Sequence, residues 1–189
     1  MTYLNRFKQI SDEAADSIYN LVKDMINKNT TNILEVGTYA GQVTVLLAAA
    51  AKEKSPSVNV ISIDENNDTF SPTAQESLKI SNLFNTSVES GELDRKFEEN
   101  IVKANIIYID RFHDEIESKM EIIKKNVIVP TKVIFRNPKN SSDFPFEVSE
   151  VSPEIKPRAR KKAEAEASAV ATASVTTKAT PKENKKETT

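Results

Sequence analysis

Short apolar runs alternate with helix-forming segments along the chain, and this alternation constrains the fold more than any other feature. Strands are predicted at 33–36, 58–63, 83–88, 105–110 and 127–135. Most of these runs lack a polar residue at every second position, which indicates strands that are buried on both faces, as in a parallel sheet. Helices are predicted between and before them, at 12–28, 42–54, 72–80, 92–103 and 113–125. The pattern therefore predicts an α/β layered fold with a mostly parallel sheet.

Polar residues stand where the predicted strands end. In open α/β sheets, ligands bind outside the carboxyl ends of the strands. The residues at those positions are Glu35 and Gly37, Asp64, Thr86 and Ser87, Asp110, and Asn137. The sequence therefore predicts a ligand site along this edge of the sheet.

Glycine is scarce in this chain, and its placement is informative. Only three of the 189 residues are glycine, and Gly37 and Gly41 both lie between the first strand and the helix that follows it. Glycine is needed where the backbone takes a positive φ or where another group must come close. The pair predicts a ligand-shaping loop, with an ordinary tight turn as the alternative.

The charge at this junction favours one class of ligand over another. A dinucleotide fingerprint has three glycines, whereas Glu35 here precedes a two-glycine pattern that runs to Gly41. A carboxylate at Glu35 would repel a pyrophosphate and attract an ammonium or sulfonium group. Asp64, which follows the second strand, can accept hydrogen bonds from ribose hydroxyls.

Three segments together resemble a known family. The segment 33–41 (ILEVGTYAG) resembles motif I of class I S-adenosylmethionine-dependent methyltransferases of the small-molecule O-methyltransferase type. The segment 61–64 (ISID) is similar to the acidic motif of the second strand, and 106–113 (IIYIDRFH) is similar to the signature of the fourth. The resemblance covers residues 12–137 and implies a Rossmann-like three-layer sandwich.

The resemblance also implies roles for individual residues. The cofactor S-adenosylmethionine would be bound by its methionine part at Glu35, Gly37 and Gly41, by the adjacent loop at Thr38 and Tyr39, by its ribose at Asp64, and by its adenine at Thr86 or Ser87. Asp110 would face the methyl-transfer centre. In metal-dependent relatives an aspartate at this position binds a divalent cation, so the resemblance implies an Mg²⁺ site at Asp110 and Asn137.

His113 is the only histidine of the chain. Because the pKa of histidine lies near neutrality, His113 could act as the general base that takes a proton from a substrate hydroxyl. The alternative is a histidine at the start of a helix that packs or caps without chemistry. With Asp110, it completes the predicted catalytic pair.

The C-terminal part departs from the family pattern. Methyltransferases of this class add an antiparallel hairpin after the fifth strand, whereas here only one further strand is predicted, at 146–151. The hairpin is therefore expected to be reduced or missing. Residues 1–150 are predicted to form the methyltransferase-like domain. Residues 151–189, which are rich in Lys, Ala, Glu and Thr, are predicted to form a disordered tail.

Charge and composition exclude several other classes. Residues 153–189 carry a net charge of +4, which leaves −6 for the rest of the chain and argues against nucleic acid as the main partner of the domain. The basic cluster at 156–162 is compatible with weak contact to an anionic surface or with a solvated tail. The chain has no cysteine, no apolar run long enough to span a membrane, and no apolar leader, which predicts a soluble cytoplasmic protein.

Two functions follow from these observations. The first is an S-adenosylmethionine-dependent methyltransferase that acts on a small hydroxylated or amine acceptor. The alternative is a catalytically inactive protein of the same fold that binds a partner. The reduced hairpin leaves room for a protein partner or a second copy of the chain in either case.

Overall fold

A computed structural model describes residues 10–65, 70–110, 115–136 and 146–153. The helices are α1 (Asp12–Met25), α2 (Gln42–Lys54), α3 (Phe70–Ile80), α4 (Leu93–Ile101) and α5 (Ile116–Asn126). The strands are β1 (Asn32–Val36), β2 (Asn59–Asp64), β3 (Thr86–Ser90), β4 (Ile106–Ile109), β5 (Thr131–Arg136) and β6 (Phe146–Val151).

The six strands form one sheet in the order β3-β2-β1-β4-β5-β6. All neighbours are parallel except β6, which pairs antiparallel with β5 at the edge of the sheet. The prediction of a mostly parallel sheet is confirmed. Among the described residues one strand, β6, follows β5. The predicted reduction of the C-terminal hairpin stays a prediction.

Helices cover both faces of the sheet and make three layers. Ile33 of β1 belongs to a core cluster that also contains Val22 of α1 and Leu47 of α2. Leu34, the next residue along β1, belongs to a second cluster that contains Phe97 of α4. Successive side chains of a strand point to opposite faces, and both faces of β1 are buried. The strand therefore reads as apolar without alternation.

Both ends of α1 are set by local hydrogen bonds. Ser11 caps α1 as predicted, because its Oγ accepts a hydrogen bond from the backbone N–H of Ala14 at 3.1 Å. The helix ends at Met25 rather than at residue 28. Ile26 is extended, and the Oγ1 of Thr30 accepts the N–H of Asn27 at 3.1 Å, so a turn stabilised by side chains replaces the last predicted turn.

Lys119 of α5 is a buried charged residue that joins two helices. Its Nζ donates to Oδ1 of Asp94 on α4 at 2.6 Å, lies 3.6 Å from Glu115 Oε2, and sits 5.8 Å from the centre of the Phe97 ring. The aliphatic stem fills space between α4 and α5 while the ammonium reaches the more exposed Asp94. The stabilisation should therefore come mainly from packing and only partly from the ion pair.

We expect Lys119→Ala to lower the free energy of unfolding by about 2 kcal/mol, because it removes a buried stem and a cation–π contact. Lys119→Met keeps the stem and should recover most of that loss. Urea unfolding measures both. Lys124→Ala, at an exposed lysine of the same helix, is the control and should leave stability almost unchanged. Equal losses for the alanine and methionine variants would show that the charge dominates.

No helix among residues 10–65, 70–110, 115–136 and 146–153 is long and apolar enough to cross a membrane. The part of the predicted disordered tail that follows Pro153 lies outside the described residues.

Candidate functional site

The sheet brings the first, second and fourth strand ends to one edge. Beyond β1, the backbone N–H of Gly37 donates to the carbonyl of Ile63 on β2 at 2.9 Å. On the other side of β1, the N–H of Asp110 donates to the carbonyl of Val36 at 3.0 Å. The β1–loop junction, the end of β2 and the residue after β4 are therefore direct neighbours, as the sequence predicted.

The segment 37–41, which we call the glycine loop, has three residues with positive φ. Gly37, Tyr39 and Gly41 have φ values of +103°, +45° and +82°. The N–H of Gly41 donates to the carbonyl of Thr38 at 2.8 Å, which closes the turn just before α2 begins. Glycine at two of these positions avoids the steric cost that a Cβ atom has at positive φ.

Asp64, the last residue of β2, holds the glycine loop. Its Oδ2 accepts the backbone N–H of Tyr39 at 2.8 Å, and its Oδ1 accepts the N–H of Glu65 at 2.8 Å. The side chain is buried. This carboxylate therefore fixes the middle of the loop, and its predicted contact with ribose hydroxyls stays a prediction.

Four polar side chains form a buried polar cluster next to the glycine loop: Glu35, Thr38, Thr44 and Ser62. The Oε2 of Glu35 accepts hydrogen bonds from Thr44 Oγ1 and from Ser62 Oγ, both at 2.5 Å. Ser62 also bonds to Thr38 Oγ1 at 2.6 Å. The other carboxylate oxygen of Glu35, Oε1, is buried without a hydrogen-bond partner. Buried polar atoms are nearly always paired, so an unpaired one marks a position of functional interest.

Burial raises the pKa of Glu35 to about 8. The hydrogen bonds from Ser62 and Thr44 oppose this shift, whereas the nearby charges of Asp110 and Asp64 add to it. At neutral pH the carboxyl group is therefore mostly protonated in the ligand-free protein. The negative charge that the sequence placed at Glu35 is therefore largely absent at neutral pH in the ligand-free protein.

Gly41 has a packing role that the sequence did not indicate. A Cβ atom at this position would lie 2.6 Å from Cβ and 2.7 Å from Cα of Ala74 on α3. The second glycine of the loop therefore allows α3 to pack against the start of α2. Its predicted place beside the methionine part of the cofactor stays a prediction.

The predicted position of Thr86 and Ser87 at a strand end is wrong. The third strand runs from Thr86 to Ser90 rather than from 83 to 88, so both residues lie at its start, opposite Val60 and Ile61 of β2. Asp64 is paired instead with Ser90, and the side chain of the preceding Glu89 bonds to Lys96 Nζ at 2.7 Å. The adenine role predicted for Thr86 and Ser87 does not follow from this register.

Asp110 is half-buried directly after β4, as predicted. The two predicted partners of this residue, His113 and Asn137, lie outside the described residues. Within the described ranges no three His, Cys, Asp or Glu side chains come together as metal ligands. Of the Mg²⁺ site implied by the resemblance, only the candidate ligand Asp110 lies among the described residues.

Sequence reasoning missed Thr44 and Ser62. Ser62 is the direct neighbour of Glu35 in the register of β1 and β2, and Thr44 lies in the first turn of α2. A hydroxyl in the middle of the apolar run 60–63 was the available signal. Its meaning depends on the strand register, which the sequence does not give.

A cavity of about 200 Å³ lies at the opposite, amino edge of the sheet. Asn105, Thr131, Lys132 and Glu150 are among the residues that line it. The Oδ1 of Asn105 already accepts the backbone N–H groups of Thr31 and Asn32. The cavity therefore lies at the opposite end of the strands from the glycine loop.

The chain is similar to known proteins in structure, whereas comparisons of its sequence found no match. No family model matches the sequence, and no curated protein matches it. Among solved structures, the O-methyltransferase TomG of Streptomyces achromogenes, involved in tomaymycin synthesis and bound to S-adenosylmethionine, has a TM-score of 0.57 at 16% identity, over 75% of this chain and 68% of that one. The O-methyltransferase of Bacillus cereus, bound to S-adenosylhomocysteine, has a TM-score of 0.58 at 21% identity, over 72% of this chain and 64% of that one.

The methyltransferase PaMTH1 of Podospora anserina, bound to S-adenosylhomocysteine, has a TM-score of 0.60 at 12% identity, over 91% of this chain and 73% of that one. The chain has the fold of the S-adenosylmethionine-dependent O-methyltransferases. The predicted resemblance is thereby confirmed at the level of the fold. The chain spans 64% of the length of the Bacillus cereus enzyme. At sequence identities this low, a shared fold does not show a shared activity.

Proposed function

We propose that this protein is an S-adenosylmethionine-dependent methyltransferase that acts on a small hydroxylated or amine acceptor. One observation carries the proposal: a buried carboxylate oxygen, Oε1 of Glu35, has no partner beside the glycine loop of a methyltransferase fold. A ligand with an N–H donor would satisfy this oxygen.

The charge of the strand-end edge fits a cationic ligand. Glu35, Asp64 and Asp110 are close enough for the two aspartates to raise the pKa of Glu35. The aspartates favour the protonated form of Glu35, and a bound cation would favour its carboxylate form instead. We propose that the ammonium group of the cofactor binds near Glu35, the ribose near Asp64, and the methionine part against Gly37, Thr38 and Tyr39.

When bound, S-adenosylmethionine supplies an electrophilic methyl group on its sulfonium. The contribution of this chain would be to hold the acceptor near Asp110 and to receive the acceptor's proton at His113. Alignment of acceptor and methyl group would supply most of the rate. No step is assigned to a metal ion.

Asp64→Ala tests the cofactor site. We expect it to weaken S-adenosylhomocysteine binding at least about tenfold, because hydrogen bonds to a charged group contribute about 1.5–3 kcal/mol. Isothermal titration calorimetry measures the affinity, and circular dichroism checks the fold. Asp16→Ala, at an exposed aspartate of α1, is the matched control and should bind like the wild type. Equal binding by both variants would contradict the proposed site.

A second candidate function has its own supporting observation. Ala74 packs against Gly41, so the protein's own helix fills the space beside the second glycine of the loop. This favours a catalytically inactive protein of the same fold that binds a partner. A folded protein that gives no heat with S-adenosylhomocysteine would support this alternative. If binding is seen, a labelled-methyl screen over small hydroxylated and amine acceptors separates an enzyme from a passive binder.

A further inference from the structure

Glu35 is hydrogen-bonded on one side only. Thr44 and Ser62 both donate to Oε2, although Oε1 belongs to the same buried carboxyl group. Thr44 comes from α2 and Ser62 from β2, so two separate elements fix the rotation of the carboxyl group. The unpaired oxygen is therefore a defined position rather than an average over two orientations.

An ammonium group at Oε1 would change the protonation of Glu35. The hydroxyl donors on Oε2 stabilise the ionised form only partly, because the group is completely buried and faces the charges of Asp64 and Asp110. A cationic N–H donor at Oε1 favours the carboxylate through both charge and hydrogen bonding. Binding of such a donor therefore displaces the proton that the ligand-free protein holds.

We propose that Ser62 and Thr44 are positioning residues that leave Oε1 of Glu35 as the acceptor for the cofactor's ammonium group, and that binding of this group releases one proton from Glu35 to solvent. The ammonium keeps its three protons and donates one of them in a hydrogen bond, while the carboxyl O–H bond breaks and its proton passes to the buffer. The inference rests on the proposed function.

The burial of Oε1 sets a condition on binding. A ligand can reach this oxygen only if the glycine loop or the Glu35 side chain moves far enough to open a path. The hydrogen bond between Thr38 and Ser62 is the direct link between the loop and the cluster that would adjust. Asp64 and Asp110 are the charged groups on neighbouring elements, in the described part of the chain, whose charges bear on Glu35.

Calorimetry of the full chain with two ligands tests the inference. S-adenosylhomocysteine carries the ammonium group, whereas 5′-methylthioadenosine has the same adenosine and sulfur but lacks the amino-acid part. Between pH 6 and 8, the affinity for S-adenosylhomocysteine should rise up to about tenfold per pH unit, with proton release seen in buffers of different ionisation enthalpy. The affinity for 5′-methylthioadenosine should not change.

Variants separate positioning from general structure. Thr44→Val removes one donor to Glu35 and should weaken S-adenosylhomocysteine binding about tenfold at pH 7 and move the pH dependence upward, while 5′-methylthioadenosine binding stays the same. Thr44→Ser keeps the hydroxyl and should restore both properties. Thr131→Val is the matched control, because Thr131 is equally buried but bonds to the Ala104 carbonyl at the amino edge of the sheet.

The outcomes are distinguishable. Binding of both ligands with no proton release, or with the same pH dependence for both, overturns the inference and leaves the proposed cofactor site in place. Binding of neither ligand to the folded protein overturns the proposed function and the inference with it. Glu35→Gln should abolish the proton release while retaining 5′-methylthioadenosine binding, and proton release that persists in this variant would assign it to another group.

Discussion

Gly41→Ala is expected to lower the free energy of unfolding by about 3–5 kcal/mol. Two costs add: the residue has a φ of +82°, and the new Cβ would overlap Cβ and Cα of Ala74 at 2.6 and 2.7 Å. The overlap with Cα cannot be relieved by a side-chain rotation, so α3 must shift away from α2. Urea unfolding followed by circular dichroism measures the loss.

Gly91→Ala is the control for a glycine of positive φ at which a new Cβ atom meets no overlap. Gly91 also has a positive φ, of +153°, but the nearest atom to a new Cβ is Lys96 Cε at 3.7 Å, an ordinary contact at the end of a flexible chain. We expect this variant to lose clearly less stability than Gly41→Ala. Adding Ala74→Gly to Gly41→Ala should recover only part of the loss, because the contact with Cα remains. Equal stability of the two single variants would refute the packing role of Gly41.

This packing role changes the meaning of the glycine pair. The scarcity of glycine predicted that Gly37 and Gly41 shape a ligand site, with a tight turn as the alternative. The structure gives Gly41 a third purpose, the close approach of two helices, which no local pattern reveals. In glycine-rich strand-to-helix loops, separate glycines can serve the turn, the ligand and the packing of the helix.

Local chemistry made several elements predictable. The predicted bounds of α2 and β6 agree with the structure: α2 is an alanine-rich run that ends before Ser55, and β6 ends before Ser152 and Pro153. The convergence of Glu35, Asp64 and Asp110 was also predictable. It needs only parallel strands in a common order and the rule that ligands bind at their carboxyl ends.

The third strand shows what the sequence could not provide. Leu83 suggested the start of a strand, but its N–H donates to the Leu78 carbonyl and its side chain packs in the core, so it completes the turn after α3. The strand proper is an edge strand of polar character, from Thr86 to Ser90, and its position is set by pairing with β2. This edge strand carries a weak apolar signal because none of its side chains is fully buried on either face of the sheet.

Pairing across strands also determines the buried polar cluster. Ser62 lies beside Glu35 only in the observed register, and a shift of one residue would place an isoleucine there. The sequence identified the carboxylate of Glu35 but placed its charge toward a ligand. The structure instead buries it between two hydroxyl donors, with one oxygen left over.

Glu35→Gln is expected to change the pH dependence of stability by about 4–5 kcal/mol between pH 4.5 and 8. The pKa of Glu35 is about 8 in the folded protein, against an ordinary value of 4.5. Across this range the unfolded chain releases the proton while the folded protein retains it. The stability contribution of Glu35 therefore falls as pH rises, at about 1.4 kcal/mol per pH unit. Below pH 4.5 both states are protonated, and above pH 8 both are ionised, so the contribution is constant there.

A glutamine at position 35 keeps an acceptor for Thr44 and Ser62 and has no proton to lose. The ligand-free wild type and variant should therefore have similar stability at pH 5, and the variant should be more stable at pH 8, as measured by urea unfolding at several pH values. All other titrating groups contribute equally to both proteins, so the difference between the two curves isolates Glu35. Parallel curves would show that Glu35 is ionised throughout, and the proton proposed to leave on cofactor binding would then not exist. Curves that converge at low pH would instead show that the folded protein retains a proton on Glu35, which is the proton that a bound cation would displace.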